Sequence, residues 1–152
     1  MALSKEKQKS LNQAMAKINK QFGADTVKLV GQHLEDMKIR RYPTPSLEVN
    51  EMLCGGFVVG KIVELYGENS SGKTSLALET IAHNMKLDPN FTAGFFETEE
   101  SYDPNYAKML GIDLDRFVYW DQQEHGAEKG LDILNALVNS GQFNMIVVNS
   151  VN

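Results

Sequence analysis

Gly67-Glu68-Asn69-Ser70-Ser71-Gly72-Lys73-Thr74 fits the pattern G-x-x-x-x-G-K-[ST] at every fixed position. A loop that curls around a phosphate must turn its backbone N–H groups inward and keep side chains out. Gly67 and Gly72 permit that approach. A helix starting at Lys73 would aim the positive end of its dipole at the same anion. Lys73 is then placed to reach the β- and γ-phosphates of a nucleotide, and Thr74 to offer its hydroxyl to Mg²⁺, with Ser75 next in the first helical turn. Context sharpens the pattern. It follows Lys61–Tyr66, whose Ile62, Val63 and Leu65 read as a buried strand, and it opens a helix over Lys73–Met85 with an apolar side of Leu76, Leu78, Ile81, Ala82 and Met85.

Downstream of the loop the chain alternates helix and strand. Asp88-Pro89 ends the first helix, and Thr92–Glu97 reads as a second strand. Asp103 is a helix N-cap with Pro104 at the first helical position, and Gly111 closes that helix. Phe117–Trp120 reads as a third strand. Ala127, Leu131, Leu134 and Val138 predict a helix over residues 127–140, ended by Gly141, and Met145–Val148 reads as a fourth strand. Continuously apolar strands alternating with helices predict an α/β fold with a parallel sheet covered on both faces.

Upstream, Leu11, Met15, Ile18 and Phe22 form one stripe of a helix over residues 4–22, which Gly23 stops. That stripe suits packing on its own domain or docking on another subunit. Val27–Val30 reads as a short strand. Residues 31–50 read as irregular, with Pro43 and Pro45 as breakers. The expected organisation is an N-terminal arm over residues 1–41 and a nucleotide-binding core over 42–152.

Of the 152 residues, 42% are apolar, which suits a globular domain. The net charge of −5 hides an asymmetry. Residues 1–41 hold nine Lys/Arg against four Asp/Glu, and the remainder six against sixteen. A basic front of this kind touches DNA or an acidic neighbour, or is the solvated face of a helix. No apolar run is long enough for a membrane span, and no secretory signal is expected. The one cysteine, Cys54, cannot form an internal disulfide. It reads as a small buried apolar residue in a reducing compartment, the cytoplasm. His33, His83 and His125 are scattered without metal-ligand spacing. Tyr119 and Trp120 read as core or edge residues rather than base-stacking platforms.

The sequence around the loop resembles the RecA family of recombinases almost end to end. Lys7-Gln8-Lys9-Ser10-Leu11 and Lys20-Gln21-Phe22-Gly23 look like that family's N-terminal helix. Residues 61–74, with their double serine, are similar to its P-loop strand and loop. Asp103-Pro104-Asn105-Tyr106-Ala107-Lys108-Met109-Leu110-Gly111-Ile112-Asp113 resembles the segment after its second core strand, and Met145-Ile146-Val147-Val148-Asn149-Ser150 its Walker B strand. The resemblance implies a RecA-like P-loop NTPase core that binds ATP with Mg²⁺ through Gly67, Glu68, Asn69, Ser70, Ser71, Gly72, Lys73, Thr74 and Ser75. It implies that Glu99 orients the attacking water beside Lys73, and that Asp103 and Tyr106 contact the adenine. On residue types alone, Glu97, Glu99 and Glu100 read as a solvated turn, Asp103 as a helix cap and Tyr106 as an amphipathic filler. The resemblance further implies filament formation through the N-terminal helix, single-stranded DNA as partner, and strand exchange in recombination, repair and the SOS response to DNA damage.

Two features depart from the family pattern. Asn149 stands where the Walker B aspartate is expected at the metal site with Thr74; it keeps an acceptor oxygen but removes the charge. In the family's fold, the strand after the Walker B strand inserts between it and the P-loop strand, and residues 1–152 do not supply it. These residues are therefore expected to be part of a longer protein. The alternatives are a non-hydrolysing nucleotide-binding or assembly module, and another P-loop ATPase with a related core, such as a hexameric helicase.

Overall fold

The computed structural model describes residues 3–32, 39–99, 102–122 and 126–150. His33, Glu100 and His125 lie outside the described residues. The chain divides into two units, Met1–Ile39 and Arg40–Asn152.

The first unit is built on helix α1, Lys5–Phe22, capped by the Ser4 hydroxyl, which accepts the Lys7 N–H. No α1 residue is buried. Along its apolar stripe Leu11 and Met15 are half-buried, whereas Ile18 and Phe22 are exposed. The strand expected at Val27–Val30 does not form. The Asn19 side-chain amide takes both the N–H and the C=O of Val27, at 2.8 and 2.9 Å. A backbone satisfied by a nearby side chain does not need a sheet neighbour. A 3-10 turn follows at Val30–Gln32.

In the second unit, two short strands, β1 (Arg41–Tyr42) and β2 (Phe57–Val58), pair antiparallel around a short helix, α2 (Leu47–Met52). The irregular stretch expected up to residue 50 is thus partly ordered. Its elements are too short to print a period, and polar side chains hold them. The Asn50 amide accepts from the Thr44 N–H and hydroxyl and donates to the Thr44 carbonyl. Cys54 is exposed, not buried as expected. It follows α2 in a left-handed turn, φ 53°, where backbone geometry rather than burial sets the position.

Helix α3 spans Lys73–Leu87 and helix α4 Pro104–Leu110. Strands β3 (Ala93–Glu97), β4 (Phe117–Asp121) and β5 (Met145–Asn149) form a parallel sheet in the order β4-β3-β5. Helix α5, Ala127–Ser140, links β4 to β5. Register places Ala93, Phe117 and Met145 in one row, and Phe95, Tyr119 and Val147 in another two residues on. Ala93, Phe95 and Phe117 share a buried cluster with Leu78, Ile81, Ala82 and Met85 of α3 and with Ala107 of α4. Full burial of side chains such as Ile81 and Phe95 stabilises the fold by about 1.5–3 kcal/mol each. Alternate residues point to the opposite face. There Phe96 stacks on Trp120 at 5.4 Å, and the Trp120 indole N–H donates to the Gly130 carbonyl of α5. The sheet is thus a parallel α/β layer with helices on both faces.

The strand expected over Lys61–Tyr66 is the main correction. These residues run without strand pairing, and Ile62 is 102% and Tyr66 88% exposed. A strand needs a ladder partner and two covered faces. Among the described residues, β5 pairs only with β3, and no strand bridges β5 to this segment.

Candidate nucleotide-binding site

Residues 67–72 form a turn in which the Ser71 N–H donates to the Glu68 carbonyl at 3.3 Å. Ser70 and Gly72 both adopt left-handed backbone, φ 61° and 88°. Gly72 stands at the α3 N-cap, and no side chain caps that helix end. A Cβ on Gly72 would meet nothing within 4 Å. Its glycine therefore serves backbone conformation and open approach to the first α3 amides, not packing.

Lys73 folds back over the loop, and its Nζ donates to the Gly67 and Glu68 carbonyls at 3.0 and 2.8 Å. Gly67, Glu68, Asn69, Ser70 and Ser71 are exposed. The ammonium thus lies within the loop's curl on weak neutral acceptors that an anion would displace.

Two side-chain bonds tie the start of α3 to distant segments. The Thr74 hydroxyl donates to Asn149 Oδ1 at 3.1 Å, and the Tyr106 hydroxyl meets Ser75 Oγ at 3.4 Å. Asn149 in turn donates from Nδ2 to Glu97 Oε1 at 3.2 Å. Glu97 Oε1 also accepts the Glu99 N–H at 2.7 Å, and the Ser150 hydroxyl bonds the Glu99 carboxylate. The Thr98 hydroxyl donates its one proton to the Ser150 carbonyl at 2.8 Å, with the Asn149 carbonyl also in reach, and accepts the Ser150 N–H, locking the chain after β3 onto the end of β5. Thr74, Asn149, Glu97 and Glu99 therefore form one connected group at the carboxyl ends of β3 and β5.

Glu97 overturns the solvated-turn reading for that position, being only 1% exposed. It is the last residue of β3, on the same side as Ala93 and Phe95, and so lies inside the sheet rather than in the turn beyond it. Asp103 caps α4 through the Asn105 N–H, as its residue type predicted, and is exposed. No described hydrogen bond joins it to the loop, whereas half-buried Tyr106 does reach Ser75. Beside Asp103, burial, helped by the Asp103 charge, raises the Tyr102 hydroxyl above its ordinary value.

Mg²⁺ takes hard oxygens and binds through one or two carboxylates, substrate phosphates and water. The Thr74 hydroxyl, the Asn149 carbonyl oxygen and the Glu97 and Glu99 carboxylates suit that donor chemistry. Among the described residues no group of three or more His, Cys, Asp or Glu could hold a metal ion by itself. A cation here would be one shared with a phosphate.

Residues 9–152 match the RecA N-terminal domain. The chain is 38% identical over 152 residues to Protein RecA of Symbiobacterium thermophilum, covering 99% of this chain and 42% of that protein. It is 41% identical over 147 residues to Protein RecA of Acholeplasma laidlawii, covering 96% and 43%. With Protein RecA of Ruegeria pomeroyi the identity is 40% over 149 residues, covering 97% and 42%. The chain thus spans about two fifths of the length of these relatives. A matched domain running through nearly every residue, loop and strand ends included, places this chain in the RecA family.

Proposed function

We propose that this chain binds ATP with Mg²⁺ through Gly67–Ser75, as the nucleotide-binding part of a RecA-like recombinase. The observation that carries the proposal is the Thr74–Asn149 bond, which joins the loop to a strand end 75 residues away. Through Asn149, which also bonds Glu97, it links the hydroxyl of the loop motif to the carboxyl ends of β3 and β5, and this supports a site for phosphates and water there. The loop amides and the α3 N-terminus would hold the phosphates, and Lys73 would leave its loop carbonyls for the β- and γ-oxygens. When bound, Mg²⁺ would neutralise phosphate charge, with Thr74 among its supports. Glu99, held by Ser150, would orient the attacking water. Tyr106 would lie along the base, with Asp103 near it.

In the larger protein, the exposed Ile18 and Phe22 of α1 suit docking on a neighbouring copy. A head-to-tail contact that does not close gives a filament. Assembly on single-stranded DNA, strand exchange and a cytoplasmic role in repair belong to this reading. No described helix is long and apolar enough to cross a membrane.

Calorimetry with ADP and ATP in Mg²⁺ tests the proposal. Lys73→Ala should remove about 1.5–3 kcal/mol of charge-assisted bonding, a loss of roughly ten- to a hundredfold in affinity. Unchanged affinity in Lys73→Ala, or no heat with the wild-type chain, refutes it. A second reading, nucleotide binding without hydrolysis, is favoured by the neutral amide of Asn149. Binding without DNA-stimulated phosphate release supports that second reading.

A further inference from the structure

The amide of Asn149 faces two different groups. Its oxygen accepts the Thr74 hydroxyl at 3.1 Å and its nitrogen donates to the Glu97 carboxylate at 3.2 and 3.5 Å. Only a donor can face a carboxylate at that distance, so the amide orientation follows from Glu97. Glu97 and Asn149 are also register partners at the ends of β3 and β5.

We propose that the anionic charge supporting a cation at this site resides on Glu97, and that Asn149 is the neutral positioning residue that holds both this carboxylate and the Thr74 hydroxyl. The proposal rests on the nucleotide reading above. An aspartate in place of Asn149 could still accept from Thr74. It would, however, set a second carboxylate oxygen against Glu97, which is 1% exposed. Two carboxylates held in so close and partly buried a contact repel each other. The ends of β3 and β5 carry one carboxylate and one amide, and the β4 end on the other side of Glu97 carries a further carboxylate, Asp121. Exchanging the two groups, by Glu97→Gln together with Asn149→Asp, keeps the same hydrogen bond with its direction reversed. On this assignment, Asn149→Asp alone is a defect and not a repair.

The test compares the wild-type chain with Glu97→Gln, Glu97→Asp, Asn149→Asp and the double variant Glu97→Gln/Asn149→Asp. Thermal unfolding in EDTA without nucleotide is the first measurement. Asn149→Asp should melt several degrees below wild type or fail to fold, and the double variant should recover. The second is the Mg²⁺ concentration needed for half-maximal ADP binding. Glu97→Gln should raise it roughly tenfold or more, Glu97→Asp should hold near wild type, and the double variant should return toward it. Simple addition of the two single effects overturns the assignment. So does ADP binding whose Mg²⁺ dependence ignores Glu97→Gln, and in that case the nucleotide reading stands. Absence of any ADP binding by the wild-type chain withdraws both.

Discussion

Arg116 spreads one guanidinium over several partners. It donates to the carbonyls of Asp88, Pro89, Phe91 and Met85, which are left over where α3 ends, and its Nε pairs with Asp113 at 2.8 Å. The side-chain bond from Arg116, then the Asp115 N–H, hold the Asp113 carboxyl below its usual 3.8. A depressed folded value means stability that is present above the unfolded value and lost as pH falls through the folded one. Asp113→Asn keeps the turn-capping oxygen and removes the charge. Wild type should therefore melt above Asp113→Asn at neutral pH, by a small margin because the pair is exposed and screened. That margin should close in acid, below the ordinary aspartate range. Melting curves across the acid range check this, and a margin unchanged with pH counts against it.

At the scale of elements, the contact of α5 with the sheet depends on one missing side chain. A Cβ at Gly130 would stand 2.8 Å from Phe96 Cε2 and closer still to its Cζ, and that ring is fixed by stacking on Trp120. Gly130→Ala gains about 1 kcal/mol in helix propensity. Overpacking of this kind costs about 1–3 kcal/mol, and against a buried ring the cost should win. A lower urea midpoint than wild type is expected; a higher one would mean that α5 shifts away freely. Helices α1, α3, α4 and α5 were legible because their signals are local, whereas α2 lay in a stretch read as irregular. Asp103-Pro104 starts α4, Gly111 and Gly141 end α4 and α5, and each boundary stands where those residues put it. Lys61–Tyr66 was misread for the converse reason: its composition suits a strand, but a strand exists only with a neighbour. The loop motif was visible in eight residues. The placement of Glu97 was not, because three nearby carboxylates look alike until the end of β3 separates buried Glu97, its last residue, from exposed Glu99, which shares its parity. Likewise no local pattern announces that Asn149 will meet Thr74.

Across the whole second unit, order should fall off from the central strand. Every residue of β3 is buried between β4 and β5, whereas Lys61–Tyr66 lies exposed outside any ladder. Hydrogen exchange on this chain should find the amides of residues 93–97 slowest and those of 61–66 close to solvent rates. Strong protection at 62–65 would show that this segment pairs in solution. Trp120 offers a way to watch the sheet itself. It is the chain's single tryptophan, 6% exposed, with its indole N–H on α5 and its ring on Phe96. Excited to the red of tyrosine absorption, the fluorescence of this chain therefore comes from one indole at one seam, blue-shifted while α5 covers the strands and moving to the red once water reaches them.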